Sequence, residues 1–272
     1  MSRFERSRLV VIALLTLAMV GCASRENMLL KDQSEKRVAV ISLLGDKFEV
    51  YYRGVTAFGN KRKSIDINDI GVNEYVEERF SSSIQEKYGM KVVPVNVDRV
   101  GMAEKYAEHT LSLRGMYANP LDLKLEKIRP EISSIATSNN LDAVIIIAPA
   151  ALYTGTTVEP EGMSLHSWGI NDAVAGSYVN IFAGILVVDP ETGRHVEYAQ
   201  FKRPDSNGWP ENPQDVRAMV SVKGTPLQDL AQRDVTDQDK QALSDILLTI
   251  LDDELVDHTL KDALVKKTYE DY

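Results

Sequence analysis

Apolar residues along this chain keep three different rhythms, and each rhythm predicts a different element. Uninterrupted runs form the first, in Arg37-Val38-Ala39-Val40-Ile41-Ser42-Leu43 and in Leu141-Asp142-Ala143-Val144-Ile145-Ile146-Ile147-Ala148. Both are short and β-rich, so they read as buried strands; the second is apolar on both faces and hence central. Alternation is the second rhythm. From Ser177 to Val188, Val179, Ile181, Ala183, Ile185 and Val187 should face a core. Their neighbours Tyr178, Asn180, Phe182 and Gly184 are mixed, which predicts a partly wet opposite face. Phe48 to Arg53 alternates less cleanly, and Gly162 to Gly169 reads as a further strand. Asp189-Pro190-Glu191-Thr192-Gly193 is a turn sequence, with His195 to Phe201 returning as its hairpin partner. Lys91 to Val95 is a short strand that Pro94 confines to an edge or ends.

Spacings of three and four are the third rhythm. Val72, Tyr75, Val76, Phe80, Ile84 and Tyr88 make one helical stripe, capped by Asn68 or Asp69 and stopped by Gly89. A shorter helix is expected from Asp98 to Tyr106. Ala118-Asn119-Pro120 reads as loop, and Pro130 as the first turn of a helix ending at Asn139-Asn140. Gly59-Asn60, next to Lys61-Arg62-Lys63, predicts a solvated hairpin tip. Arg203 to Pro213 holds three prolines, Asn207-Gly208 and Trp209, so it is a loop. Beyond it a short helix is expected over Gln214 to Val222. A long one, capped by Thr236 or Asp237, should reach toward Lys267 on the stripe Leu243, Ile246, Leu247, Ile250, Leu251, Leu255 and Leu260. This order predicts an α/β or α+β fold, a mixed β-sheet packed with helices and a helical C-terminal region.

The first stretch obeys a different logic. Arg3-Phe4-Glu5-Arg6-Ser7-Arg8 precedes an apolar run from Leu9 to Val20 relieved only by Thr16, and Gly21-Cys22 follows. A basic start, a short apolar middle and a small residue before the cut describe a secretory signal peptide, and the run is too short to span a bilayer. Cys22 is the one cysteine in the chain. Met19-Val20-Gly21-Cys22 resembles the lipobox of bacterial lipoproteins, with Met19 where that family prefers Leu. The resemblance implies cleavage between Gly21 and Cys22, diacylation of the Cys22 thiol and usually acylation of the new amino terminus. Ala23 follows the cysteine. In Gram-negative lipoproteins Asp there tends to retain the protein in the inner membrane, so with a Gram-negative host the resemblance implies the outer membrane. The expected division is leader 1–21, lipidated tether 22–36, a mixed α/β domain 37–203, and a helical region 204–272 packing on that domain. The polar tether reaches at most ~45 Å.

Composition narrows the partners. Hydrophobic content of 44% with 26% charged residues is that of a chain with a real core. Without the leader, 28 basic residues face 39 acidic ones. Such a balance repels nucleic acid and gives no overall pull toward anionic lipid, so attachment falls to the acyl chains. With Cys22 consumed, no internal disulfide is available to the exported domain.

Motifs for chemistry are sparse. Gly45-Asp46-Lys47 and Gly169-Ile170-Asn171-Asp172 resemble blocks of the SGNH esterases, but Lys47 stands where the serine nucleophile belongs and Asp257-His258 are adjacent. His109, His166, His195 and His258 show no metal-ligand spacing; His166 and His195 could meet only if their strands were neighbours in a favourable register. No cofactor loop, metal set or catalytic set is expected. Trp209, in the proline-rich loop, and Trp168, at a strand end, are the candidate partner contacts.

The series from the Arg37 strand to Leu141-Asp142-Ala143-Val144-Ile145-Ile146, closing on Tyr178 to Gly193, resembles a group of periplasmic proteins. It looks like the curli-secretion lipoprotein, the penicillin-binding-protein activator lipoproteins and the TolB amino-terminal domain, over roughly residues 36 to 202. That resemblance implies a non-enzymatic envelope assembly or regulatory factor, with an unidentified protein partner and self-association into a ring left open. The alternatives are an envelope hydrolase using His166 or His195 with a carboxylate and a serine, and a small-ligand carrier with a deep cavity behind the Ile181 face.

Overall fold

The computed structural model describes residues 33–55, 59–108, 120–150, 152–154, 157–159, 161–170, 173–201 and 218–265. Strands β1 (Arg37–Ser42), β2 (Lys47–Arg53) and β3 (Lys61–Asp66) are followed by helix α1 (Val72–Tyr88) and strand β4 (Lys91–Val92). Helices α2 (Arg99–Ala107) and α3 (Pro120–Asn139) lead to β5 (Ala143–Pro149), the small hairpin β6 (Leu152–Thr154) and β7 (Thr157–Glu159), and β8 (Gly162–Ile170). The long β9 (Ala173–Asp189), β10 (Arg194–Gln200), β11 (Met219–Ser221), α4 (Asp237–Ile250) and α5 (Asp253–Leu264) complete the described chain. Nine strands form one mixed sheet, and β6–β7 pair separately.

The register reduces this sheet to a simpler object. β5 and β8 both run antiparallel to β9, β5 against Ala183–Val188 and β8 against Ala173–Phe182. They are therefore two lengths of one line, interrupted by the β6–β7 excursion. β1 and β2 form the next line, parallel to β5 and β8 in turn. β10 and β11 do the same along the far edge of β9. Three lines break at one cross-section while β9 runs through. The sheet thus has a first half (β4, β1, β5, β10 and the end of β9) and a second half (β3, β2, β8, β11 and the start of β9).

Helices treat the halves differently. α1, α4 and α5 bury Phe80, Leu247 and Leu260 on one face, against Val40, Ile145 and Ile185 of the first half and Val50, Leu165 and Val179 of the second. α2 and α3 cover the opposite face of the first half only, where Met102, Leu125, Ile128 and Ile132 meet Ile41, Ile146 and Leu186. Among the described residues no helix lies on that face of the second half. This asymmetry leaves the strand residues on that face open to solvent or to a partner.

Several expectations need correction. Pro130 lies inside α3, not in its first turn, and Pro120 is the first helical residue. The stripe Leu125, Ile128, Ile132 and Ala136 carries the inner face past the proline, which is itself exposed, so the carbonyl it leaves unbonded can turn to water. Asn68 and Asp69 do not cap α1. They form a 3-10 turn, and Gly71 at φ 68° precedes the helix. The basic triplet Lys61-Arg62-Lys63 is the first half of β3, not a tip. Met219–Ser221 is a strand, not the end of a helix; 214–217 lie outside the described residues. The long C-terminal helix is two: Asp252 accepts a hydrogen bond from the Leu255 N–H at 2.9 Å and starts α5 afresh. Toward the end of β9 the face expected to be wet is dry, because Phe182, Leu186 and Val188 are buried.

One buried charge secures the entry to α4. Thr236 and Asp239 form a capping box, and Arg233 grips the Asp239 carboxylate at 2.6 and 2.7 Å. That guanidinium holds the Asp239 carboxyl far below the usual carboxylate range, against the opposing effect of burial. Asp239→Ala should cost about 3 kcal/mol at pH 7. Because the folded-state pKa is depressed, the contribution is present above the unfolded value near ~4 and is lost as pH falls below it. Denaturant unfolding of both proteins at pH 7 and pH 3 checks this: the difference in stability should be smaller at pH 3.

Candidate binding surface

On the uncovered face of the second half, three neighbouring strands place one residue each in a row. The register aligns Tyr51 of β2 with His166 of β8 and Tyr178 of β9, and Arg62 of β3 with Tyr51. Their rings stack: Tyr51 to His166 at 5.0 Å between centroids, His166 to Tyr178 at 5.5 Å. The Arg62 guanidinium lies 5.2 Å over the outer face of Tyr51 and pairs with Glu49 at 3.0 Å. Cross-strand aromatic and cation–π pairs of this kind each add a fraction of a kcal/mol or more to a sheet.

The next row carries Arg53, Trp168 and Gly176 in register. Trp168 meets Tyr178 edge-on at 5.7 Å and is 42% exposed. A Cβ built on Gly176 would stand 2.0 Å from Trp168 Cζ2, so the indole lies directly over a backbone that only glycine leaves clear. Arg53 is exposed and enters no ion pair with another described residue. Together Arg53, Gly54, His166, Trp168 and Tyr178 line an open groove of about 540 Å³.

Electrostatics sharpen the picture. Burial, with Arg53 adding to it, depresses His166 to about 4, so the imidazole between the tyrosines is neutral at physiological pH. On this face β2 and β3 carry Lys47, Arg53 and Arg62 against Glu49 and Asp66, while Lys61 and Lys63 alternate to the other face, where Lys63 donates to the Arg233 carbonyl. With Arg62 paired to Glu49, Arg53 is the cation beside the aromatic groove of a net-acidic chain.

In the third row Ser164 donates to Asn180 Oδ1 at 2.8 Å, both side chains fully buried. Ser164 and His166 share a face with Glu49, the grouping a hydrolase would need. Yet the serine proton points to Asn180, the Glu49 carboxylate is held by Arg62, and the His166 ring is sandwiched between tyrosines. His166 and His195 are not on neighbouring strands. Their β9 partners, Tyr178 and Val188, lie ten residues apart, roughly 33 Å along the strand.

Of the residues singled out from sequence, Trp168 joins the surface. Cys22, Gly21 and Trp209 lie outside the described residues. Gly45-Asp46-Lys47 occupies the β1–β2 break, where Asp46 accepts from Asn73 Nδ2 at 3.1 Å; Gly169 lies at the far end of β8. Tyr51, Tyr178 and Arg53 were missed, although each sits on the polar side of an alternating strand, the signal that could have found them.

The chain's structure is similar to the LpoB C-terminal domain from Salmonella enterica, at 10% identity and a TM-score of 0.23, over 64% of this chain and 91% of that one. It is also similar to lipoprotein GNA1162 from Neisseria meningitidis, at 11% identity and a TM-score of 0.25, over 61% and 79%. No family model and no curated protein matches the chain.

Proposed function

We propose that this protein is a lipid-anchored, periplasm-facing envelope factor that binds an acidic protein partner on the open face of its second half-sheet. The observation that carries the reading is the row Arg62, Tyr51, His166 and Tyr178 with Trp168 beside it and Arg53, which pairs with no carboxylate among the described residues. Trp, Tyr and Arg dominate the energetics of protein interfaces, and here they are held rigid before any partner arrives. The lipobox-like Met19-Val20-Gly21-Cys22 supports anchoring through acyl chains on Cys22, at the outer membrane of a Gram-negative host. The Arg53 guanidinium, which enters no ion pair with another described residue, favours an acidic surface as the complement. Neither nucleic acid nor a catalytic step is needed for this role.

Affinity capture from cross-linked envelopes tests it. The wild-type protein and Arg53→Glu should differ in specific proteins retained, with at least one lost on charge reversal and recovered at neither low nor high salt. Identical capture profiles would contradict the reading.

A further inference from the structure

At the break in the sheet, beside α2, the structure holds a second site. β1 leads through β2, β3 and α1 to β4 on one side, and the chain then returns through α2 and α3 to β5 on the other. The carboxyl end of β1 is therefore a topological switch point, where open α/β sheets form a crevice. A cleft of about 310 Å³ lies there, lined by Leu43, Leu44, Val100, Ala103, Tyr106 and Pro149 among others. That volume suits a small molecule.

Among the described residues, the buried polar groups around it are already engaged, with one exception. Ser42 Oγ donates to Asn73 Oδ1 at 2.8 Å, and the Ser42 N–H donates to Glu77 Oε1 at 2.8 Å. Arg99 answers Glu77 at 2.9 and 2.7 Å and also pairs with Glu74. The buried Lys124 pairs with Glu161 and stands 5.1 Å over the Tyr106 ring. Lys47 and Glu104, which also line the cleft, are exposed to water. The exception is the Tyr106 hydroxyl, in a side chain 2% exposed, which has no hydrogen-bond partner among the described residues. Burial raises its pKa well above the ordinary range, with Glu161 adding to the effect, so it remains a proton donor. A buried donor without an acceptor is costly, and a ligand that supplies the acceptor removes that cost.

We propose that this cleft binds a small, uncharged, mainly apolar molecule carrying one hydrogen-bond acceptor, and that the Tyr106 hydroxyl donates to it. The walls select for apolar surface, the charges around the cleft are paired with each other or solvated at its rim, and the Tyr106 donor fixes orientation. This site is separate from the partner-binding face and stands without it.

The probe is para-fluoroacetophenone, a neutral aromatic ketone, followed by fluorine NMR with the full chain in detergent micelles. The wild type should give saturable broadening beyond that of micelles alone. Tyr106→Phe should weaken it about 5- to 10-fold while leaving the fold intact. Ala103→Trp, which fills the cleft, should abolish it, and Ala107→Trp serves where that variant fails to fold. Absence of saturable broadening in the wild type, or equal binding by all variants, would overturn the site. Loss with Ala103→Trp but unchanged affinity in Tyr106→Phe would overturn the assigned ligand chemistry.

Discussion

Trp168→Ala should weaken binding of the protein partner by about 2 kcal/mol, roughly 30-fold, with little change in thermal stability. The indole is the most exposed ring of the surface and touches Tyr178 edge-on, so its removal strips contact area from the partner and steadying from the row. Stability is spared because the large buried side chains, Phe48, Phe80 and Ile145 among them, lie on other faces. Titration of the captured partner, with a parallel melting curve, separates the two effects. An affinity within twofold of wild type would remove Trp168 from the interface. The stack should also be sensitive to acid: His166 has a depressed pKa, so its neutral packing is fully present above the unfolded value near ~6.5 and is lost as pH falls toward 4.

Cys22→Ala has the second large effect, and a categorical one. If acyl chains on that thiol are the attachment, the variant should leave the membrane pellet for the soluble periplasm or stall with its leader uncut. Two or three acyl chains hold a protein stably at a bilayer, whereas one holds it marginally. No helix among the described residues is long and apolar enough to cross a membrane. Fractionation of wild type and variant decides it: a variant still fully sedimenting with membranes would show that something other than Cys22 holds the protein there.

Much of the fold was legible because its signals are local. The runs at Val38–Ile41 and Val144–Ile147, the alternation through β9, the Asp189–Gly193 turn and the stripe of α1 each declare themselves within a dozen residues. Pro130 misled because a proline reads as a boundary, while the stripe that carries α3 past it starts upstream, at Leu125. The α4–α5 break was hidden by a hydrophobic stripe that continues across Leu251 although the backbone does not. The binding surface was harder still. Tyr51, His166 and Tyr178 are 115 and 12 residues apart in the chain, and only the β2–β8–β9 register makes them neighbours. Trp168 could be picked out as an aromatic at a strand end, but the bare Gly176 beneath it belongs to a pairing that no local pattern reveals.

A photo-cross-linking side chain at position 51 probes the central idea most directly. Benzoylphenylalanine there keeps an aromatic ring in the row, and the same group at the exposed Glu86 of α1 provides the comparison. Irradiated envelopes should yield a discrete adduct from position 51 that fades when Arg53→Glu is added, and no such adduct from position 86. Silence at position 51, or the same adduct from both positions, would mean that the open half-sheet is not where this protein meets its partner.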